Sequence, residues 1–296
     1  MACFHPLQAY RDTTGLIVFT SLNVVEKLQL PCGQCIGCRL QRSYMWAIRC
    51  LHEKSQHQEN CFITLTYDDD HLPKHGSLEI KHFQDFMKRL RRNNPGKLIR
   101  YFHCGEYGEK LSRPHYHACL FGHDFNDKEL IRKQGDKKYY TSETLKRIWT
   151  HGLVDITDLN YETAAYAARY IMKKINGDRA IEHYNDFDPE TGELKSYKKP
   201  EYITMSRRPG IGTDWFIQYV KDVFPSDEII IKGKRVAVPK FYDKKFELLD
   251  PESYECIKKQ RKLNAEKHKA DNTPARLAVK EKCKLAQIKQ LKRNKI

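Results

Sequence analysis

Alternating apolar and polar residues predict four short strands. In CFITLTYDD, residues 61–69, apolar side chains alternate with threonines before an acidic turn. LIRYFHCGEYG (98–108) and PHYHACLFG (114–122) predict a second and a third strand, which a turn at residues 110–112 should join into a hairpin. LVDIT (153–157) predicts the fourth.

Helical spacing predicts the elements between the strands. One helix is expected over Leu40–Lys54, and another, capped by Ser77, over Ser77–Arg92. SETLKRIWTHG (142–152) predicts a short helix closed by Gly152, and Asn160 should cap a helix that runs to about Ile175. From the first strand on, the order is strand, helix, strand, strand, helix, strand, helix. Its first six elements predict an α+β fold of split βαβ (ferredoxin-like) topology, an antiparallel sheet with helices on one face.

Composition shifts divide the chain into four segments. Residues 1–60 form an N-terminal extension that carries a CxxCxxC motif, and 61–178 hold the predicted sheet and helices. Residues 179–224 are loop-rich and include the loop SRRPGIG, whereas 225–296 form a basic, helical C-terminal arm.

The charge distribution favours a polyanionic partner. The chain has 53 Lys+Arg and 38 Asp+Glu, a net charge of +15, and residues 257–296 carry +11 of it. Nucleic acid is the first candidate and an anionic membrane surface the second. The arm is either a solvated helical tail or an arm that grips phosphates without reading sequence. We expect no membrane span, since no run approaches about 18 to 20 apolar residues, and no secretory signal.

Two histidines on the third strand suggest a metal site. His115 and His117 share one strand face, and Glu106 comes from the partner strand of the hairpin. Two imidazoles and a carboxylate can hold one divalent ion and leave positions open for water and a phosphate oxygen. The alternative is that the histidines only pack in the core or face solvent.

The segment YAARYIMKK, residues 166–174, places two tyrosines one helical turn apart. Tyr166 and Tyr170 share a helix face, and Arg169 and Lys173 each follow a tyrosine by three positions. A phenol can attack a phosphodiester where the phosphate is polarised. The alternative is that the tyrosines pack against the sheet and the cations complement the helix dipole.

The N-terminal cysteines form a third candidate site. Cys32, Cys35 and Cys38 are spaced as metal ligands, with Cys3 and His5 as further candidates. Zinc is the default metal for such thiolates, while an iron–sulfur cluster or free thiols are the alternatives. The cysteine usage and the missing export signal indicate a reducing cytoplasm.

The motifs and their order resemble a known family. FITLTY, then RPHYH, then the helical YxxxY with trailing cations resemble the three motifs of HUH rolling-circle replication initiators. The two-tyrosine form is similar to the replication initiation proteins of microviruses, and PCGQCIGCR and SRRPGIG resemble those of the gokushovirus branch. The three motifs cover roughly residues 60–175, and the flanking segments extend the resemblance to 1–224.

The resemblance implies roles for individual residues. His115 and His117 would bind Mg²⁺ or Mn²⁺, with Glu106 as the acidic third ligand. Tyr166 and Tyr170 match the paired nucleophiles and Lys173 the accompanying lysine, while arginine replaces the common lysine at position 169. Contacts with DNA are expected from Arg169, Lys174, Arg207 and Arg208.

The function that the resemblance implies is initiation of rolling-circle replication. Such an enzyme is a metal-dependent, site-specific endonuclease and ligase that nicks and rejoins single-stranded DNA at the viral origin through a 5′-phosphotyrosine. Its partners would be the origin and the host helicase and polymerase, in the cytoplasm of a bacterial host. The alternatives are a relaxase or transposase of the same superfamily and a zinc-stabilised nucleic-acid-binding protein without catalysis.

Overall fold

The computed structural model describes residues 3–21, 23–108, 111–169, 174, 179–188 and 190–290. The chain forms two compact units, each described by itself: Met1–Arg42 with Asp243–Ile296, and Ser43–Tyr242.

The described strands, in chain order, are β1 (Leu7–Asp12), β2 (Ile17–Val18), β3 (Val24–Leu30), β4 (Asn60–Tyr67), β5 (Arg100–Tyr107), β6 (Pro114–Phe121), β7 (Lys128–Gln134), β8 (Lys137–Ser142), β9 (Gly152–Thr157), β10 (Asn185–Phe187), β11 (Leu194–Tyr197), β12 (Tyr202–Met205), β13 (Glu228–Ile231) and β14 (Lys234–Ala237). The described α-helices are α1 (Ile36–Lys54), α2 (Ile80–Arg92), α3 (Glu143–Trp149), α4 (Tyr161–Arg169), α5 (Arg179–Tyr184), α6 (Thr213–Val223), α7 (Lys240–Leu249), α8 (Pro251–Lys267) and α9 (Pro274–Gln290).

The larger unit contains a seven-stranded antiparallel sheet. Its strand order is β12-β5-β6-β4-β9-β8-β7, so β4 and β6 lie at the centre and the hairpin β7–β8 forms one edge. The four strands predicted from the sequence are neighbours in the order β9-β4-β6-β5. The predicted hairpin is β5–β6, in which Glu106 pairs with His115.

Strand alternation divides the sheet into two apolar faces. Ile63 and Leu65 of β4 pack with α2 and α3 through residues such as Phe86 and Trp149. Phe62 points the other way and packs with apolar side chains of α1 and α4. The expected helical layer is confirmed for α2 and α3, but it is incomplete, because α1 and α4 cover the opposite face.

Three predicted helix ends can be compared with the structure. The Ser77 cap is wrong: α2 begins at Ile80 after Glu79, and the Ser77 hydroxyl accepts a hydrogen bond from the Lys199 backbone N–H at 3.0 Å. The predicted closure at Gly152 is also wrong, because Thr150 ends α3 in a left-handed conformation and Gly152 already belongs to β9.

The N-terminal cap of α4 is confirmed. The Asn160 side-chain oxygen accepts a hydrogen bond from the Thr163 backbone N–H at 2.9 Å. The helix is described as far as Arg169. Its predicted continuation toward Ile175 runs through residues outside the described part of the chain.

The smaller unit combines a sheet of β1, β2 and β3 with the C-terminal helices. The strand order is β2-β1-β3, and Lys262 of α8 forms an ion pair with Glu26 of β3 at 2.8 Å. The predicted helical character of the arm is confirmed by α8 and α9. Among the described helices, none combines the length and the apolar character that a bilayer crossing requires.

Candidate active site

His117 lies at the centre of the sheet and is held through both ring nitrogens. Its neighbours on β4 and β5 are Thr64 and Cys104. The Thr64 hydroxyl lies 2.9 Å from Nδ1, and a carboxylate oxygen of Glu106 lies 3.0 Å from Nε2. Both His117 and Glu106 are buried. Because the ring is hydrogen-bonded on two sides, its orientation is fixed by β4 and β5 together.

His115 completes the group that the sequence assigned to a metal. It pairs with Glu106 across the hairpin, and its ring centroid lies 5.9 Å from that of His117. The backbone of Gly108 packs against it: a Cβ added there would lie 2.9 Å from His115 Cε1 and 3.0 Å from Nε2. The two imidazoles and the carboxylate thus share one face of the sheet, and this mixed nitrogen and oxygen donor set fits a divalent cation such as Mn²⁺ or Mg²⁺.

Tyr166 lies above the histidines on the same face. Helix α4 presents its ring edge-on to His117, with centroids 5.0 Å apart at 85°, and also to Phe62 at 6.4 Å. The Arg169 guanidinium carbon lies 5.8 Å from the centroid of the Tyr166 ring, and the Arg169 side chain is exposed. One predicted nucleophile is therefore adjacent to the predicted metal ligands, although 49 positions separate Tyr166 from His117 in the sequence.

The other predicted residues of this group are less completely described. Tyr170 and Lys173 lie outside the described residues. Lys174 is exposed, and so are Arg207 and Arg208 in the turn that precedes α6.

The sequence analysis missed two polar residues on the histidine face. Thr64 contacts His117 directly, and Asp155 of β9 is the cross-strand partner of Thr64. Burial raises the pKa of the Asp155 carboxyl, while the positive charges of Arg132 and His117 act in the opposite direction. Strand alternation could have placed both residues on a face, but it does not give the order of the strands.

Four cysteines of the smaller unit converge. The sulfur atoms of Cys3, Cys32, Cys35 and Cys38 all lie within 4.8 Å of one another. Burial tends to raise the pKa of the Cys35 thiol, but hydrogen bonds from the backbone N–H groups of Phe4 and Cys38 and from neighbouring thiols lower it to about 6. The cluster can therefore bind a structural metal.

His5 is not one of these four ligands. It lies 2.7 Å from a carboxylate oxygen of Glu281, at the distance of an ion pair or hydrogen bond.

The loop SRRPGIG has a structural half as well as an exposed one. Arg100 donates a hydrogen bond to the Pro209 carbonyl at 2.7 Å, and the Gly212 backbone N–H donates to Glu53 at 2.7 Å. Arg100 and Glu53 are buried and ion-paired with each other. This loop is thus anchored to α1 and β5, while its two arginines remain exposed.

Known proteins resemble this chain over most of its length. A family model of replication-associated proteins, described by the name ORF2, matches residues 60–175. The replication-associated protein VP4 of Bdellovibrio phage phiMH2K is 32% identical over 267 residues, which cover 86% of this chain and 80% of that protein. The replication-associated protein ORF2 of Spiroplasma virus 4 is 33% identical over 281 residues, 83% of this chain and 81% of that protein.

A third relative, the replication-associated protein ORF4 of Chlamydia phage 1, is 32% identical over 221 residues, 72% of this chain and 52% of that protein. No solved structure gives a significant match. These relatives share one class, proteins associated with the replication of viruses that infect bacteria. The chain belongs to their family, the replication-associated proteins of microvirus-like phages.

Proposed function

We propose that this protein is the HUH-type initiator of rolling-circle replication, which binds the phage origin as single-stranded DNA, nicks it and later rejoins it. The observation that carries the proposal is the position of the Tyr166 ring, 5.0 Å from that of His117, on the face that also holds His115 and Glu106. The strand order β9-β4-β6-β5, with α2 and α3 on one face, supports the HUH assignment.

The site residues would act on one phosphodiester. His115, His117 and Glu106 would hold the divalent ion, which supplies Lewis acidity at a phosphate oxygen. The Tyr166 oxygen attacks the phosphorus and loses its proton, the bond from phosphorus to the 3′ oxygen breaks, and that oxygen takes up a proton. The products are a 5′-phosphotyrosine and a free 3′-hydroxyl that can prime a host polymerase.

The second tyrosine gives the reaction its return step. We assign Tyr170 to the cut at the regenerated origin, after which the 3′-hydroxyl closes the released strand, and Lys173 to a supporting positive charge. Arg169, Lys174, Arg207 and Arg208 would contact the DNA backbone. Residues 61–178, with 179–224 as an extension, would form the catalytic domain, working with host helicase and polymerase in the bacterial cytoplasm.

Zinc in the cysteine cluster is a second part of the proposal. Four thiols within 4.8 Å are the donor set of a closed structural zinc site. On this basis the cluster stabilises the smaller unit and takes no part in the cleavage. A zinc-stabilised binder without catalysis would have the same cluster, so the tyrosine must discriminate between the two functions.

The test is formation of a covalent protein–DNA adduct. Single-stranded oligonucleotides that span the phage genome, labelled at the 3′ end, are incubated with the protein and Mn²⁺ or Mg²⁺. Label should become attached to the wild-type protein, less to Y166F, and none to Y166F/Y170F. Y161F is the matched control, because Tyr161 also lies on α4 but packs against Tyr44, and it should form the adduct normally. An adduct in the double mutant would overturn the proposal.

A further inference from the structure

A row of polar side chains leads away from the candidate active site across the sheet. His117 of β6 pairs with Thr64 of β4, and Thr64 pairs with Asp155 of β9. Directly paired residues in an antiparallel sheet project from the same face. The row therefore begins beneath Tyr166 and reaches β9 on the face where the DNA is expected to bind.

The row continues into the edge hairpin β7–β8. Tyr140 pairs with Ile156, so the preceding Tyr139 projects on the opposite face, which is that of Asp155. Arg132 pairs with Tyr139, and an irregularity in β7 after Leu130 brings Arg132 into this register. From β6 to β7 there are four strand spacings, about 19 Å in total at about 4.8 Å each.

Arg132 is held over a buried ring while its side chain remains exposed. Its guanidinium carbon lies 4.0 Å from the centroid of the Tyr139 ring, and only 1% of Tyr139 is exposed. Arg132 and His117 both act on the Asp155 carboxyl, which lies between them in the row. A guanidinium stacked on a ring has its flexibility reduced, and its in-plane N–H donors can still bind an anion.

The surroundings of Arg132 favour a phosphate over other anions of low charge density. The segment 128–138 has five Lys+Arg and two Asp+Glu. Guanidinium groups bind phosphate oxygens in a bidentate manner, and phosphate contacts fix the position of a nucleic acid on a protein. A span of about 19 Å corresponds to roughly five or six nucleotides at the stacked spacing of 3.4 Å, and to fewer in an extended strand.

We propose that Arg132, supported by Tyr139 and Asp155, forms a backbone-phosphate subsite for the single strand that leads into the cleavage site. The subsite rests on the proposed function for its location relative to the reacting bond. Its ligand is a DNA phosphodiester several nucleotides from the one that is cut. Arg132 is a binding residue and touches none of the reacting atoms.

The test compares two neighbouring cations of one strand. R132Q and K133Q remove the same charge, but Lys133 follows Arg132 directly in β7 and pairs with Lys138, so it projects from the other face. Binding of a fluorescent single-stranded 20-mer is measured by anisotropy at several salt concentrations. R132Q should raise the Kd on the order of tenfold, as expected for the loss of one charged hydrogen-bonded contact, and K133Q by less than about twofold. The slope of log K against log salt should fall by about 0.7 in R132Q alone.

The outcomes separate this proposal from the proposed function. Equal weakening by R132Q and K133Q would mean a diffuse charge effect and would overturn the subsite, as would wild-type affinity in R132Q. At saturating oligonucleotide, R132Q should still form the covalent adduct that Y166F/Y170F loses. If the wild type forms no adduct, the nicking function fails, while the Kd comparison still decides whether the subsite exists. Because Arg132 is exposed, R132Q should unfold at the wild-type temperature.

Discussion

The hydroxyl oxygen of Thr64 lies 2.9 Å from Nδ1 of His117, while the other ring nitrogen faces Glu106. This contact joins the central strands β4 and β6 through side chains at a point where their backbones are also paired. A histidine that binds a metal through Nε2 carries its proton on Nδ1, and a hydroxyl oxygen at that position can accept it. Thr64 is therefore a positioning residue for His117.

Replacing Thr64 by valine should weaken binding of the divalent ion. T64V keeps the shape of the side chain but leaves His117 Nδ1 without its hydroxyl partner, and loss of such a partner lowers metal affinity roughly 10- to 100-fold. T64S retains the hydroxyl and should restore most of the affinity. Mn²⁺ binding followed by electron paramagnetic resonance measures both. Equal affinities for the wild type and T64V would show that the contact has no role in positioning.

Replacing Gly108 by alanine should displace the other histidine. The added methyl would lie 2.9 Å from His115 Cε1, closer than carbon atoms approach without movement, so the ring must shift. We expect weaker Mn²⁺ binding and a melting temperature close to that of the wild type. G96A is the control with the opposite profile, because Gly96 has a φ of +80° with open space around it. It should cost about 1 kcal/mol of stability and leave Mn²⁺ binding unchanged.

These two residues illustrate how far the sequence could predict the site. Alternation along PHYHACLFG is local, and the turn before it makes β5 the partner of β6, so His115, His117 and Glu106 could be grouped without a structure. Thr64 reaches His117 only because β4 pairs with β6 across 53 positions. No periodicity in the sequence encodes that choice of neighbour, since it results from the packing of whole elements.

The errors in the fold prediction have similar causes. Ser77 is a good cap by residue type, but its hydroxyl is used by Lys199, which is 122 positions away. The polar segment before α3 was expected to be an insertion without regular structure, whereas it forms the edge hairpin β7–β8 through main-chain hydrogen bonds that do not require apolar side chains. Tertiary contacts outweighed local propensity in both cases.

Zinc should be present in the purified protein at one atom per chain. Removal with a chelator should lower the stability of the smaller unit, because the four sulfur atoms otherwise repel one another as thiolates or are buried as thiols. C35S should reduce the zinc content, whereas C283S should not, since Cys283 is exposed and outside the cluster. Elemental analysis and native mass spectrometry provide the measurement. Protein that contains neither zinc nor iron would contradict the assignment.

Replacing Glu53 by glutamine should destabilise the larger unit strongly. Glu53 is buried, pairs with Arg100 and accepts a hydrogen bond from Gly212, so E53Q leaves a buried guanidinium without its counter-charge. We expect a loss of about 3 kcal/mol or more in the free energy of unfolding. E59Q is the control, because the pair between Glu59 and Lys97 is exposed and contributes less than about 1 kcal/mol. Urea unfolding of both variants tests the difference, and equal effects would refute it.

Stability should also fall with pH through His52, in a direction that its surroundings determine. The ring stacks on Trp215 with centroids 3.4 Å apart, its Nδ1 lies 2.9 Å from the Tyr242 hydroxyl, and burial lowers its pKa to about 3. In the unfolded chain a histidine takes up a proton near pH 6.5. Between pH 6.5 and about 3 the unfolded state therefore binds more protons, and acidification destabilises the fold by up to about 1.4 kcal/mol per pH unit.

The measurement is the slope of the unfolding free energy against pH between 5 and 6.5. H52Q removes the titrating group, so its slope should be lower than that of the wild type by up to one proton, whatever its absolute stability. His183 is exposed, and H183Q should leave the slope almost unchanged. A wild-type slope in H52Q would mean that the imidazole is protonated to the same extent in the folded and unfolded states, and that its stack with Trp215 does not hold it neutral.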